Sequence, residues 1–144
     1  MKKEIDPRMH SAEHILTQTM GRLFGCGRPV TTHIEKKKSK CDYPFDRPLA
    51  DAEIEELERR VNRVIEADLP VSVEWMSVEE AEKRYDLGRL PEEVGGRVRI
   101  VKMGDYDACP CIGPHVESTG EVGRFRITSS SFDGGLLRVR FRLC

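Results

Sequence analysis

The chain has 144 residues, of which 34% are charged, yet 24 lysines and arginines against 25 aspartates and glutamates leave a net charge of only -1. That balance excludes a global electrostatic pull toward nucleic acid, so any such contact must come from local patches. No apolar run is long enough to span a bilayer, and five scattered cysteines, an odd number, do not make the disulfide framework of a secreted domain. A single domain over 1–144 is expected, soluble and cytoplasmic, with reduced thiols and a core that needs no staples.

Asp6 before Pro7 forms an N-cap and N1 pair, and Met9, Ala12, Leu16, Met20 and Leu23 recur at helical spacing until Gly25 and Gly27. This predicts a helix from about Pro7 to Phe24. His10, His14 and Gly21 point roughly 130° away from the centre of the apolar stripe, toward a cleft or solvent. Val30 to Ile34 and Lys40 to Phe45 read as two short strands joined by a basic tip, Lys36-Lys37-Lys38-Ser39-Lys40. Ile54, Leu57, Val61, Val64 and Ile65 stripe a second helix between Pro48 and Pro70, with Glu55–Arg59 and Glu56–Arg60 pairing on its exposed side. Val71 to Trp75 reads as a strand, and Ser77-Val78-Glu79-Glu80 is a capping box opening a short helix through about Tyr85. Leu87 to Gly96 reads as a loop.

Arg97 to Met103 and Glu121 to Ser129 alternate as half-buried strands, and in the last strand Leu137, Val139, Phe141 and Leu143 alternate with Arg138, Arg140 and Arg142. Asp133-Gly134-Gly135 is the turn before it. Strands and helices mix without strict alternation, which predicts an α+β class: a largely antiparallel sheet packed with two long helices and a short one.

Three of the four histidines fall in two spaced motifs, His10-Ser11-Ala12-Glu13-His14 and Cys111-Ile112-Gly113-Pro114-His115. Residues i and i+4 of a helix share a face, so His10 and His14 can reach one small ion, and a turn holding a thiolate and an imidazole can complete it. Three nitrogens and one sulfur are a tetrahedral zinc set. Cys109 is a second candidate thiol, with Cys111 preferred. Four protein ligands close a site and point to structure, whereas catalytic zinc keeps a position for water; a loose ligand or expansion to five ligands would reconcile the two.

At these residues the chain resembles the editing domains of alanyl-tRNA and threonyl-tRNA synthetases, most closely the small free-standing AlaX-type deacylases. The anchors are His10-Ser11-Ala12-Glu13-His14-Ile15-Leu16, Phe45-Asp46-Arg47-Pro48, Cys111 to His115, and Ser118-Thr119-Gly120-Glu121-Val122-Gly123. The resemblance implies a synthetase editing-domain fold and hydrolysis, in trans, of the ester joining a wrong amino acid to tRNA, typically serine or glycine on tRNA for alanine. It carries His10, His14, Cys111 and His115 over as the catalytic and metal site, Zn2+ as cofactor, and Thr31 as the group recognising the serine hydroxyl, with Thr32 the neighbouring alternative. Two departures bear on specificity: the alanyl-type Cys-Gly-Gly-Thr-His is here Cys111-Ile112-Gly113-Pro114-His115, and the Thr hydroxyl is lost to Pro114. Threonyl-type domains use a similar set of residues without depending on zinc.

Misacylated tRNA would then be the partner, drawn by two basic clusters. Lys36, Lys37, Lys38 and Lys40 form the first, alternatively a solvated hairpin tip. Strand parity gives the second: with Phe125 and Ile127 facing the core, Arg124, Arg126, Arg138, Arg140 and Arg142 share the outer face, unless helix carboxylates cover them. His33 is expected to have no catalytic role. A zinc-stabilised RNA-binding module, or a hydrolase of simple esters, are the competing readings.

Overall fold

A computed structural model describes residues 5–85 and 95–144. Helix α1 runs over Pro7–Phe24: the Asp6 side chain accepts the Met9 N–H at 3.1 Å, Pro7 occupies the first turn, and Gly25 closes the end in the left-handed region (φ 65°). Strands β1 (Thr31–Ile34) and β2 (Ser39–Pro44) form the expected hairpin, and helix α2 covers Asp51–Glu66. The N-terminus of α2 is held by Glu53, which accepts the Ala50 N–H and a two-point bond from Arg47, so its carboxyl sits low, at about 2. On the exposed side Glu56 takes both Arg59 and Arg60. The expected Glu55–Arg59 pair is thereby replaced, because an i,i+3 partner on the same turn is also within reach.

Strand β3 (Val71–Ser77) runs two residues beyond expectation before helix α3 (Val78–Arg84). Its cap is half of the expected box: Ser77 accepts the Glu80 N–H at 3.2 Å, while the Glu80 carboxylate turns to Arg84. The loop expected over Leu87 to Gly96 falls, up to residue 94, outside the described residues. Strand β4 (Arg97–Met103) follows, then a strand not anticipated, β5 (Asp107–Pro110). A 3₁₀ turn occupies Thr119–Val122, so the alternation starting at Glu121 becomes strand only at β6 (Phe125–Asp133), which pairs through the Gly134-Gly135 turn with β7 (Leu136–Leu143).

The strands divide into two antiparallel sheets, β1-β2-β7-β6 and β3-β4-β5. The inner face of the first sheet carries Cys41, Tyr43, Phe125, Ile127, Leu137, Val139 and Phe141, all buried in one core with Met9, Leu16 and Met20 of α1 and Leu57, Val61 and Ile65 of α2. The second sheet splits its apolar residues: Val98 and Ile100 pack with Met76 and Ala81 under α3, while Met103 joins the main core.

Helix α1 lies between the two sheets. Its apolar stripe meets the first sheet, and its other side is covered by the second, through Gln18 to Asp107 (2.8 Å), Thr19 to the Tyr106 hydroxyl and Arg22 to the Tyr106 carbonyl (2.8 Å). His10 and His14 are therefore only 7% and 3% exposed. They face a covered cleft and not solvent, because the second sheet supplies the roof.

Among the described residues strand β6 has only β7 as a partner, and α2 closes its other edge. Asn62 accepts the Phe125 N–H and donates to the Phe125 carbonyl, both at 2.9 Å, while Glu58 accepts the Ile127 N–H at 2.7 Å. Replacing Asn62 with leucine would strand two buried backbone groups, each costing about 1–3 kcal/mol. Asn62→Leu should therefore destabilise the fold by roughly 2–6 kcal/mol, seen as a lower denaturation midpoint at unchanged slope in urea unfolding.

Candidate metal centre

His10 and His14 stand one turn apart on α1, and Cys111 and His115 come from the turn that follows β5. One ligand atom from each of the four lies within 4.8 Å of all the others. The Cys111 Sγ is 3.5 Å from both His10 Nε2 and His115 Nε2. A tetrahedron with Zn–S near 2.3 Å and Zn–N near 2.0 Å has sulfur–nitrogen edges of about 3.5 Å, so the donor set fits zinc in kind and these two edges fit it in length.

Two of the three remaining ring nitrogens are turned outward to partners. His10 Nδ1 donates to the Pro114 carbonyl at 3.1 Å, and His115 Nδ1 lies 2.8 Å from Ser11 Oγ, which also accepts the Val116 N–H at 3.2 Å. Both contacts leave Nε2 free to bind a metal. His14 Nδ1 is buried without a hydrogen-bond partner, 3.7 Å from Asp107 Oδ2. Ser11 was not anticipated by the spacing argument, although its place inside the His10–His14 turn is the signal that could have found it.

Metal binding needs thiolate and neutral imidazole, a state that Cys111 and His115 already favour and that His14 reaches by giving up a proton. Burial by itself would raise the Cys111 thiol, but hydrogen bonds from His10, His115 and His14 outweigh it and bring it down to about 3. Burial and repulsion from His14 and His10 push His115 down to about 4. Against burial, the nearby Asp107 carboxylate and the Cys111 thiolate hold His14 well above its ordinary range. The thiolate is thus balanced by positive charge at His14, a place a cation would take over.

Cys109 stands outside this group, with its Sγ against the Arg28 guanidinium. The turn itself is fixed by Arg99 on β4, whose Nη1 donates to the carbonyls of Cys111 (3.3 Å), Ile112 (2.8 Å) and Gly113 (2.8 Å). Sequence alone showed Arg99 as one arginine of a strand; its partners lie twelve and more positions away.

The structure does not bring Thr31 to the cluster. Thr31 faces Asp42 across the β1–β2 pair and donates to its Oδ2 at 2.6 Å, on the outer face of the first sheet. Thr32 pairs with Cys41 and so shares the inner face, toward α1. Asp42 also takes Arg138 through two bonds, 2.7 and 3.1 Å, so a strand carboxylate neutralises this arginine of the outer stripe. Lys40 and Arg140 are cross-strand neighbours on that face, where Arg140 donates to Ser129, and Lys36, Lys37 and Lys38 are exposed at the hairpin turn. His33 is on the same outer face, bonded to Glu35 at 3.0 Å.

Gly113 leaves no room for a side chain: a Cβ there would meet His10 Cε1 and come within 2.7 Å of its Nδ1. Gly113→Ala should displace the His10 ring and lower zinc affinity by about 10–100-fold, measured by competition with a chromophoric chelator.

The family described as "Threonyl and Alanyl tRNA synthetase second additional domain" matches residues 98–140. Alanine–tRNA ligase from Coxiella burnetii is 38% identical over 126 residues, 86% of this chain and 14% of that protein. The enzyme of the same name from Treponema denticola is 36% identical over 91% of this chain and 22% of its own length, and that from Idiomarina loihiensis is 34% identical over 94% and 15%. The chain spans less than a quarter of the length of these curated relatives. Residues 98–140 thus match a threonyl- and alanyl-tRNA synthetase second additional domain, and most of the chain is similar to a segment of alanine–tRNA ligases, which is consistent with an editing domain of the AlaX type.

Proposed function

We propose that the chain deacylates misacylated tRNA, with serine or glycine on tRNA for alanine as substrate, at a zinc site formed by His10, His14, Cys111 and His115. The observation that carries this reading is the convergence of three imidazoles and one thiolate within 4.8 Å, two of the sulfur–nitrogen edges being of tetrahedral length, in a relative of alanine–tRNA ligases. Zinc held by these four residues would polarise the ester carbonyl and lower the pKa of a water toward ~7, the water entering as a fifth ligand or in place of a loosened one.

The rest is work for the chain's own groups. Ser11 and the Pro114 carbonyl fix the tautomers of His115 and His10, and Asp107 orients His14. Beside His14 a cavity of about 250 Å³ is lined by Glu13, Thr17, Asp107 and Arg28, among others. Its carboxylates suit the ammonium group of a small amino acid. We assign discrimination of the serine hydroxyl to Thr32, on the face toward α1, in place of Thr31, whose hydroxyl is committed to Asp42. Lys36, Lys37, Lys38, Lys40 and Arg140 are assigned to the tRNA phosphates, and Arg138 to a structural pair with Asp42.

Incubation with Ser-tRNA(Ala), Gly-tRNA(Ala) and Ser-tRNA(Thr) should release amino acid from at least one, and a chelator or Cys111→Ser should slow that release by at least about 100-fold. Silence on all three while tRNA still binds would make the chain a zinc-stabilised RNA-binding module instead. Preference for Ser-tRNA(Thr) would identify threonyl-type editing. Thr32→Val should reduce discrimination between seryl and alanyl esters by about tenfold or more, whereas Thr31→Val should leave it in place; the ratio of kcat/KM values decides.

A further inference from the structure

Strand pairing sets a line of three residues across the second sheet. Trp75 on β3 faces Arg99 on β4, and one residue past β5 the ladder continues, with the Cys111 N–H donating to the Arg99 carbonyl at 3.0 Å. Residues directly opposite one another in a sheet point to the same side. Trp75, Arg99 and Cys111 therefore share one face, and two strand spacings put Trp75 about 10 Å from the metal ligand, with the Arg99 guanidinium between them.

The two ends of this line differ in cover. At the β5 end, α1 lies over the face and buries the cluster. At the β3 end Trp75 is 38% exposed and Val73, its neighbour on the same face, 46% exposed, while Ile112 in the turn is 37% exposed. Arg97 sets its guanidinium 5.8 Å from the Trp75 ring centroid. An open aromatic ring flanked by two arginines, one nucleoside's length from a site for ester hydrolysis, has the chemistry of a single-stranded RNA platform: a π-face for a base and cations for the backbone.

We propose that Trp75 is the stacking platform for the terminal nucleobase of the aminoacylated RNA, with Arg97 and Arg99 beside it facing the sugar–phosphate backbone. This rests on the proposed tRNA substrate but goes beyond it, since a base stacked here would set the distance between the RNA end and the four-residue cluster. Trp75 acts through base contact and positions the ester.

Trp75 is the chain's only tryptophan, so its emission reports directly on stacking. Titration of the full chain with the trinucleotide CCA, and separately with tRNA, should quench that emission, and tRNA shortened by its 3′-terminal nucleosides should not. Trp75→Ala should raise KM for the aminoacyl-tRNA by about tenfold or more with a smaller change in kcat, and Trp75→Phe, which keeps a π-face, should recover most of the loss. Unchanged emission at saturating tRNA and trinucleotide, or Trp75→Ala with a wild-type KM, would overturn the platform while leaving deacylation intact. Absence of deacylation from every aminoacyl-tRNA, with quenching by CCA retained, would instead overturn the proposed reaction and leave the platform standing.

Discussion

Helix α1 is clamped from two sides, and the rest of the molecule depends on that. Its apolar stripe closes the core between the first sheet and α2, while the opposite side carries His10, Ser11, His14, Gln18 and Arg22 into contact with the second sheet and the 111–115 turn. Polar groups buried on such a helix must find partners, since an unmet buried donor or acceptor costs more than a typical hydrogen bond contributes. The second sheet and the turns beside β5 meet that demand with Asp107, Tyr106, Pro114 and His115. Docking of the two sheets and assembly of the ligand cluster are thus one event.

The cluster is electrostatically tense without a cation. Three imidazoles are packed around one thiolate, their ring centroids 4.2–4.9 Å apart, and little solvent reaches them. Burial pushes His115 down, whereas the thiol is brought low against burial by hydrogen bonds from the histidines around it. The geometry survives because each outward nitrogen but one is hydrogen-bonded, and because Arg99 ties three successive carbonyls of the turn to β4. The exception, His14 Nδ1, points at Asp107 from just beyond hydrogen-bond distance.

What was legible beforehand follows from the range of the interactions. Both long helices and the last strand carry their periods and caps within a few residues, so Pro7–Phe24, Asp51–Glu66 and the arginine alternation of β7 could be read locally. The ligand set was legible because helical geometry turns His-x3-His into a shared face. Burial of that face was not, since its cover comes from a segment a hundred positions later. Strand β5 is four residues ending in proline, too short to show a period, and exists through its pairing with β4. The division into two sheets likewise depends on Val71–Ser77 choosing Arg97–Met103 as partner. Thr31 was within reach of the parity argument applied to the arginines, because its register with Asp42 already places it on the outer face.

The seal that Asn62 and Glu58 place along β6 gives the first sheet one blunt margin and one bare one. Among the described residues β1 has a single neighbour, β2, so its far side is the only margin of that sheet where a foreign strand could dock by main-chain pairing. Growth of this sheet by augmentation, whether in a larger polypeptide or in an aggregate, is confined to one direction, and that direction starts beside the lysine-rich turn, whose like charges repel a second copy of itself.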